Sequence, residues 1–503
     1  MSIKRWLYLG HRWLGIGLCL LFAMWFFTGM VMMYVAFPSL SEEERLAGLP
    51  AIDPDTVQAS VDRLLDAAGA GAPIRSLRLT TVLGRPAYLL RTGDGAQHGL
   101  FADDGTPFAG FDSGDALVAA RLHHSTSTGG DDAKAQSLGL VEMDQWSVSS
   151  GLHPYRPLHH VALNDAAGTR LYISSLTGEV VRDTSARERV WNWLGANLHW
   201  IYPMVLRRHG ELWSQVVIVL SLLGLGSVVT GAAVGLMRLR IRKPYRGRDI
   251  TPYRGMMKLH HVLGLAFLLF LTTFMLSGLL SMNPWNVFTP QQPFGNLLRE
   301  FRGSPAAGAS LAGDDPAELR RLLAQYPHTR EIAWQWLAGD AYLILVEAPY
   351  QRRAVFTGRE EQPDLEQRAR ARLGEIMAGT AVTAVTTLDR HDNYYYSHHQ
   401  RLRPLPVLRV EFDDDERSWF HIDLTTGELI NRLTTKGRAQ RWLYNGLHSL
   451  DFTFLIHRRP LWDIVVIVLS VLGLVFSVTS IQVAWLRLRP RRRRVRHNSG
   501  LAP

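Results

Sequence analysis

The chain has 503 residues, a net charge of +10, 47% hydrophobic and 20% charged residues, and one cysteine. A chain of this length is too long to fold around one ordinary hydrophobic core. A single cysteine excludes internal disulfides, a CxxC redox pair and a cysteine-ligated iron–sulfur cluster. The basic residues concentrate beside apolar segments, where membrane topology and lipid headgroups account for them, so we expect no nucleic acid partner.

Four apolar segments without Asp, Glu, Lys or Arg predict membrane-spanning helices. They cover Leu14–Phe37, Val216–Leu236, Val262–Ser281 and Ile464–Trp485. Each has about the 20 residues that a helix needs to cross a bilayer. The first segment is longer than the apolar run of a signal peptide, and no A-x-A-like cleavage site follows it, so we expect it to be retained.

The densest runs of basic residues flank these segments at ends that would face the same side of the membrane. Lys4 and Arg5 precede the first, RLRIRKPYRGRD from Arg238 joins the second to the third, and RLRPRRRR from Arg487 follows the fourth. The positive-inside rule therefore places both termini and the middle loop in the cytoplasm. The predicted organisation is an N-terminus with the first span (1–37), an outer region (38–212), a second span (213–237), a basic loop (238–259), a third span (260–282), a second outer region (283–461), a fourth span (462–486) and a basic tail (487–503).

Both outer regions have the patterns of α+β domains. The first predicts a helix at Asp55–Ala68 and strands at Ile74–Val82, Ala87–Arg91 and His98–Ala102, and the second predicts a helix at Pro316–Gln325 and strands at Glu331–Leu337 and Ala341–Glu347. Each region ends in a TGE turn, at Gly178 and Gly427. Tryptophan-rich amphipathic stretches follow at Arg187–Tyr202 and Arg438–Phe452, and they predict interfacial helices.

The chain repeats itself in register at an offset of 249 residues, as from His11 to His260 and from His199 to His448. LYISSLTGEV likewise recurs as FHIDLTTGEL, and Thr28-Gly29 recurs as Ser277-Gly278. Internal repeats indicate architecture more strongly than local propensity does. We therefore predict a four-span α-helical bundle, built as an internal duplication, with two α+β outer regions.

One histidine of the repeat lies beside each predicted span. His11 and His260 are near the cytoplasmic ends, and His199 and His448 are near the outer ends. Ligating side chains are costly in a membrane, which makes them candidates for function. Two pairs of neutral imidazoles would suit two haem irons as axial ligands and would form a route for electrons across the bilayer. A transition-metal site and purely structural histidines are the alternatives.

Further residues near the spans extend this hypothesis. His261 and His209 are also ligand candidates. They rank below the other four histidines, because the matching positions of the repeat are Arg12 and Arg458 instead of histidines. Small residues beside the histidines would let a flat macrocycle approach the helices: Gly10, Gly15, Gly17 and Gly264.

The outer regions hold a second concentration of aromatic and histidine side chains. The candidates for substrate contact are Trp146, Tyr394, Tyr395, Tyr396, His398 and His399. These residues either bind a metal complex near the outer histidines or are ordinary strand and loop residues, and the sequence leaves both interpretations open. No zinc signature of the HExxH type, P-loop, GxGxxG motif or nucleophile elbow is present.

The chain resembles the PepSY-associated transmembrane family in a combination of motifs: HRWLG from His11, HHVLG from His260, WLGANLHW, WLYNGLHS, the two TGE strands and YYYSHHQRLRPLPVLRVEFDDD. Members of this family are bacterial inner-membrane proteins, often iron-regulated, that include ferric-siderophore reductases. The resemblance covers about residues 4–489. It implies periplasmic PepSY-like regions, haem b held by His11, His199, His260 and His448, and electron transfer to a ferric siderophore.

The resulting expectation is an inner-membrane oxidoreductase, multi-pass in the lipid bilayer, that carries electrons from a quinone or a cytoplasmic donor to a periplasmic acceptor. One alternative is a PepSY-type sensor or regulator without haem. Another is a transporter of iron, haem or siderophore, whose binding site would lie at the membrane midplane. The predicted histidines lie near the two membrane faces, which disfavours transport.

Overall fold

The computed structural model describes residues 2–69, 74–130, 134–303, 311–357, 363–397 and 402–489. The predicted contact residues His398 and His399, and residues 490–503 of the predicted basic tail, lie outside these ranges.

Within these ranges the α-helices are, in chain order, α1 (Ile3–Met32), α2 (Glu42–Ala47), α3 (Asp62–Ala68), α4 (Ser113–Thr128), α5 (Ala186–Asn192), α6 (Met204–Arg207), α7 (Gly210–Arg238), α8 (Met256–Ala266), α9 (Leu268–Ser281), α10 (Phe294–Arg302), α11 (Pro316–Gln325), α12 (Leu365–Ile376), α13 (Thr435–Gln440), α14 (Thr453–Ile456) and α15 (Leu461–Leu488). The strands are β1 (Ile74–Val82), β2 (Arg85–Thr92), β3 (Gln97–Phe101), β4 (Gln136–Val141), β5 (Leu158–Ala162), β6 (Arg170–Ser174), β7 (Val180–Thr184), β8 (Glu331–Leu337), β9 (Asp340–Ala348), β10 (Gln351–Val355), β11 (Val382–Leu388), β12 (Val407–Phe412), β13 (Trp419–Asp423) and β14 (Leu429–Leu433).

Among the described residues, three helices are each long and apolar enough to cross a membrane: α1, α7 and α15. The third predicted span, Val262–Ser281, is not one straight helix, because α8 and α9 meet at an angle of 68°. The residue between them, Phe267, has φ −100° and ψ 11°. Neither proline nor glycine lies at the bend, so the sequence carries none of the usual signals for a kink there.

The first predicted span has the wrong bounds. The helix covers Ile3–Met32, whereas the apolar segment covers Leu14–Phe37. A search for segments without charged residues misses the first turns of this helix, because they contain Lys and Arg. Both residues nevertheless form helices well. At the other end Phe37 lies beyond the helix and contacts the rings of Trp146 and Tyr202, with centroids 6.4 and 5.5 Å away.

The two outer segments share an antiparallel sheet, whose strand order is β10-β9-β8-β1-β2-β3. The halves join where β1 pairs with β8, with Leu77 opposite Trp334 and Leu79 opposite Ile332. These four residues lie on one face of the sheet and pack into a core with residues of α3 and α11. The junction was not predicted, because no local pattern shows which edges of two similar sheets will pair.

Each outer segment also forms a four-stranded antiparallel sheet, with the orders β4-β5-β6-β7 and β11-β12-β13-β14. The predicted TGE turns are confirmed between the last two strands of each sheet. Gly178 has φ 69° and Gly427 has φ 72°, a conformation that glycine adopts at little cost.

Most of the local predictions in the outer segments are confirmed, including β1, β8 and α11 with their predicted bounds. The predicted helix Asp55–Ala68 is wrong in its first half, where only a 3-10 turn forms at Pro54–Thr56. The amides of Gln58 and Ala59 both donate to the carbonyl of Ala102, which holds this stretch against the sheet instead of in a helix.

The two predicted interfacial helices are interrupted. α5 leads into a π-helical turn at Trp193–Asn197, and α13 leads into one at Arg441–Gly446. These turns carry the chain from the outer sheets back to the membrane helices, and each is followed closely by one of the repeat histidines.

Candidate functional site

The membrane helices bring His11 and His260 together. Their ring centroids are 6.3 Å apart, and the ring planes are inclined by 30°. His11 lies on α1 and donates from Nδ1 to the carbonyl of Ser227 on α7, at 3.1 Å. The Nδ1 atom of His260, on α8, lies 3.3 Å from the hydroxyl oxygens of both Thr479 and Ser480 on α15. Each histidine is therefore oriented by a different helix from its own.

His199 and His448 form a second pair, with ring centroids 6.2 Å apart and planes inclined by 66°. Nδ1 of His199 lies 3.0 Å from Thr28 Oγ1 on α1, and Nδ1 of His448 lies 3.1 Å from Ser277 Oγ on α9. Thr28 and Ser277 are both fully buried. The two histidines thus have equivalent surroundings in the two halves of the chain.

The hydroxyl groups in this second pair can act as acceptors for the histidines. Thr28 lies within donating distance of the carbonyl of Trp25, and Ser277 of the carbonyl of Phe274, at 3.3 and 3.1 Å. A hydroxyl that gives its one proton to the carbonyl accepts from Nδ1 of the histidine. In that arrangement the lone pair is on Nε2, as in a metal-ligating histidine held by a hydrogen bond on its far side.

Small residues leave room for these rings. A Cβ atom on Gly231 would lie 2.7 Å from Cε1 of His11. A Cβ on Gly29 or on Gly278 would lie 3.5 Å from Cε1 of His199 or His448 respectively. The sequence did not predict these positions.

The glycines that the sequence did predict divide into two groups. Gly10, Gly15 and Gly17 have no side chain or neighbouring element within 4 Å of where a Cβ would lie, so the helix surface there is open. A Cβ on Gly264 would instead lie 3.1 Å from Phe476, so this glycine allows α15 to pack closely against α8. The expectation of open space is therefore wrong for Gly264.

The two histidine pairs lie at different levels of the helix bundle. His11 and Thr28 are separated along α1 by about 26 Å, at 1.5 Å per residue. The interior between them is apolar and includes the buried residues Leu18, Phe22, Phe26, Leu271 and Met275. This packing excludes water from the space between the pairs.

The secondary ligand candidates join neither pair. His261 is buried, donates from Nε2 to the carbonyl of Gly235 at 2.9 Å, and lies beside the ring of Tyr253. His209 is exposed and accepts from Nε of Arg208 at 3.1 Å. Their predicted role as ligands therefore receives no support from their positions.

Most of the predicted substrate-contact residues that the structure describes are buried. Tyr395 is 0% exposed and donates to the carbonyl of Pro404, and Tyr396 is 8% exposed and donates to Asp451. Trp146 is 8% exposed and packs against Phe37. A soluble ligand does not reach such positions, because they belong to the packing of the outer regions.

Tyr394 is the described tyrosine of this group that is partly exposed. It accepts a hydrogen bond from Nε1 of Trp442 at 3.1 Å and makes an edge contact with Trp419. Contact with a substrate stays a prediction for this residue.

The described residues contain no group of three or more His, Cys, Asp or Glu side chains arranged to hold a metal ion. Within these residues, the two pairs of histidines are therefore the arrangements relevant to binding a metal. The hydroxyls of Thr28, Ser277, Thr479 and Ser480 were missed as partners of the histidines. The recurrence of Thr28-Gly29 as Ser277-Gly278 was the signal that could have revealed two of them.

The fold and the site define a membrane protein of mixed α and β structure, with two histidine pairs among its apolar helices. The model of the family described as PepSY-associated TM region matches residues 8–339, which is more than half of the chain. The chain belongs to this family, as its motifs predicted. Among curated proteins, none matches the chain.

Proposed function

We propose that this protein is an inner-membrane oxidoreductase that transfers electrons across the membrane to a periplasmic acceptor, and that its acceptor is a ferric siderophore. His11 with His260 and His199 with His448 would each hold one b-type haem. Bound haem would supply the one-electron chemistry, which none of the amino-acid side chains provides on its own.

The spacing of the histidine rings is the observation that carries this proposal. Centroids about 6 Å apart would leave room for one metal ion between the two rings, at about 2 Å from a nitrogen of each. The observed separations are 6.3 and 6.2 Å. In all four histidines Nδ1 lies within hydrogen-bonding distance of an oxygen, which leaves Nε2 for the metal.

The topology that we propose has four spans, with the bent pair α8 and α9 as the third, and it arises from duplication of one half. Equivalent contacts support the duplication: Gly224 lies against Met275, and Gly473 against Phe26, at matching positions of the repeat. Basic residues in the last turns of α7 and α15 support a cytoplasmic location for the loop and both termini in this proposal. The sheets then lie in the periplasm.

The side chains perform the tasks that this function requires. The hydroxyls of Thr28 and Ser277 orient the outer histidines, and the apolar cluster around Phe22 and Phe26 keeps water out of the bundle. No acid–base catalyst is needed, because the reaction moves only an electron. Hard oxygen ligands hold Fe(III) more tightly than Fe(II), so one-electron reduction releases iron and leaves the siderophore intact.

The acceptor can be tested with the protein in lipid vesicles that contain a membrane-impermeant reductant. We expect Fe(II) to accumulate outside when a ferric hydroxamate siderophore is added, as detected with a coloured Fe(II) chelator. Vesicles with His448→Ala should form Fe(II) only at the rate of protein-free vesicles. Haem-loaded wild type that stays at the protein-free rate would reject a ferric hydroxamate as the acceptor.

Thr28→Val should raise the midpoint potential of the outer haem. The substitution keeps the shape of the side chain and removes the acceptor for Nδ1 of His199. Without this acceptor the imidazole is a less basic ligand, and a less basic ligand stabilises Fe(III) less. Thr272→Val is the matched control, since its hydroxyl donates only to the carbonyl of Leu268 in its own helix. A redox titration with the same potential for wild type and Thr28→Val would show that the hydroxyl does not tune the site.

A further inference from the structure

A cleft of about 330 Å³ lies between the shared sheet and β7. Its lining includes Arg45, Ser76, Arg78, Arg91, Tyr155 and Glu179. Alternation along β1 places Ser76 and Arg78 on the face opposite to the apolar core that contains Leu77 and Leu79. The volume is at the lower end of the range of about 300–1,000 Å³ for small-molecule sites, so it suits a small ligand.

Four charged residues of the cleft pair with one another. Glu331 binds Arg45 at 2.7 Å and Arg78 at 3.1 Å, and Arg78 also binds Glu179 at 2.5 Å. These two arginines and two glutamates balance each other in charge. They form the wall of the cleft, in which Oε2 of Glu179 is buried without a hydrogen-bond partner among the described residues.

Arg91 is different, because it makes no salt bridge and no side-chain hydrogen bond within the described residues. Its Nε atom is buried without a partner. The hydroxyl of Tyr155, which lines the same cleft, also makes no hydrogen bond to a described residue. A partly buried guanidinium without a counter-ion is costly, so the arrangement indicates an anionic partner from outside the chain.

We propose that this cleft binds a small organic acid, whose carboxylate contacts the guanidinium of Arg91 and the hydroxyl of Tyr155. A planar carboxylate matches the guanidinium fork. The single unpaired positive charge, with Glu179 nearby, favours a singly charged carboxylate over a phosphate dianion. None of these residues belongs to the histidine pairs, so the proposal does not depend on haem.

The proposal can be tested by titration calorimetry on the detergent-solubilised full-length protein, with the singly charged acids acetate, lactate and pyruvate as probes and inorganic phosphate for comparison. We expect at least one of the three acids to bind with a Kd below about 1 mM. Arg91→Gln should weaken that binding at least tenfold, and Tyr155→Phe should weaken it by a smaller factor. Arg85→Gln is the matched control on the same strand, because Arg85 pairs with Asp103 and Asp104.

Three outcomes would overturn the proposal: no binding of any of the three acids to wild type, equal binding by wild type and Arg91→Gln, or binding of inorganic phosphate alone. Arg91→Gln removes no existing ion pair, so we expect it to fold, which its thermal melting will show. If it does not fold, Tyr155→Phe decides the question, and undiminished binding by that variant rejects the site.

Discussion

If each histidine pair holds one haem, as we propose, replacing His199 or His448 with alanine will reduce the haem content of the purified protein from two groups per chain to one. In our proposal one haem needs both His199 and His448, whose ring centroids are 6.2 Å apart. The inner pair is about 26 Å away along α1 and has its own hydrogen bonds, so it should keep its haem. A pyridine haemochrome measurement against protein concentration gives the count directly.

His209→Ala is the matched control for this experiment. His209 also lies between the outer region and α7, but it is exposed and contacts Arg208 instead of another histidine. It should retain both haems.

The corresponding change at the inner pair, His11→Ala, should remove the other haem, and the double variant His11→Ala with His199→Ala should be colourless. Full haem content in either single variant would show that the pairs are not the ligands.

The second large effect concerns the ion pairs of the outer region. Arg78→Ala should lower the free energy of unfolding by about 3–5 kcal/mol, because it leaves the carboxylates of Glu179 and Glu331 without a shared partner. Arg85→Ala should cost at most about 1 kcal/mol, since its salt bridges are more exposed. Denaturant unfolding followed by tryptophan fluorescence compares the two. Equal losses would show that the buried network does not stabilise the fold in this way.

The same network predicts how stability depends on pH. Burial alone would raise the pKa of Glu331, but the charges of Arg78 and Arg45 outweigh it and hold the pKa at about 2. A carboxyl group with a depressed pKa contributes its full stabilisation above its ordinary pKa of about 4.5 and loses it as the pH falls towards 2. Wild type should therefore lose stability between about pH 5 and pH 2. In Arg78→Ala the loss should be smaller, and an unchanged profile would contradict this explanation.

The sequence was sufficient for features with a strong local pattern. The apolar segments identified the membrane helices, and β1, β8 and α11 have the bounds that alternation and capping predict. The repeat also predicted that His11 and His260 lie near one membrane face and that His199 and His448 lie near the other, because equivalent residues of a duplicated chain occupy related positions. His11 with His260 and His199 with His448 are indeed neighbours in the structure.

Features that depend on long-range packing were not predictable. The bend at Phe267 has no proline or glycine, and the pairing of β1 with β8 joins strands from the two halves of the chain. The burial of Tyr395 depends on contacts with Pro404 and His421 that no local pattern specifies. For Trp146, Tyr395 and Tyr396 the burial favours the second interpretation that the sequence left open, a role in packing.

The absorption spectrum of the detergent-purified protein, oxidised and then reduced with dithionite, tests the central proposal most directly. The account predicts a Soret band, sharp α-bands after reduction, and a pyridine haemochrome count of two haems per chain. A protein that stays colourless after expression with added haem would contradict it, and the histidine pairs would then have only a structural role.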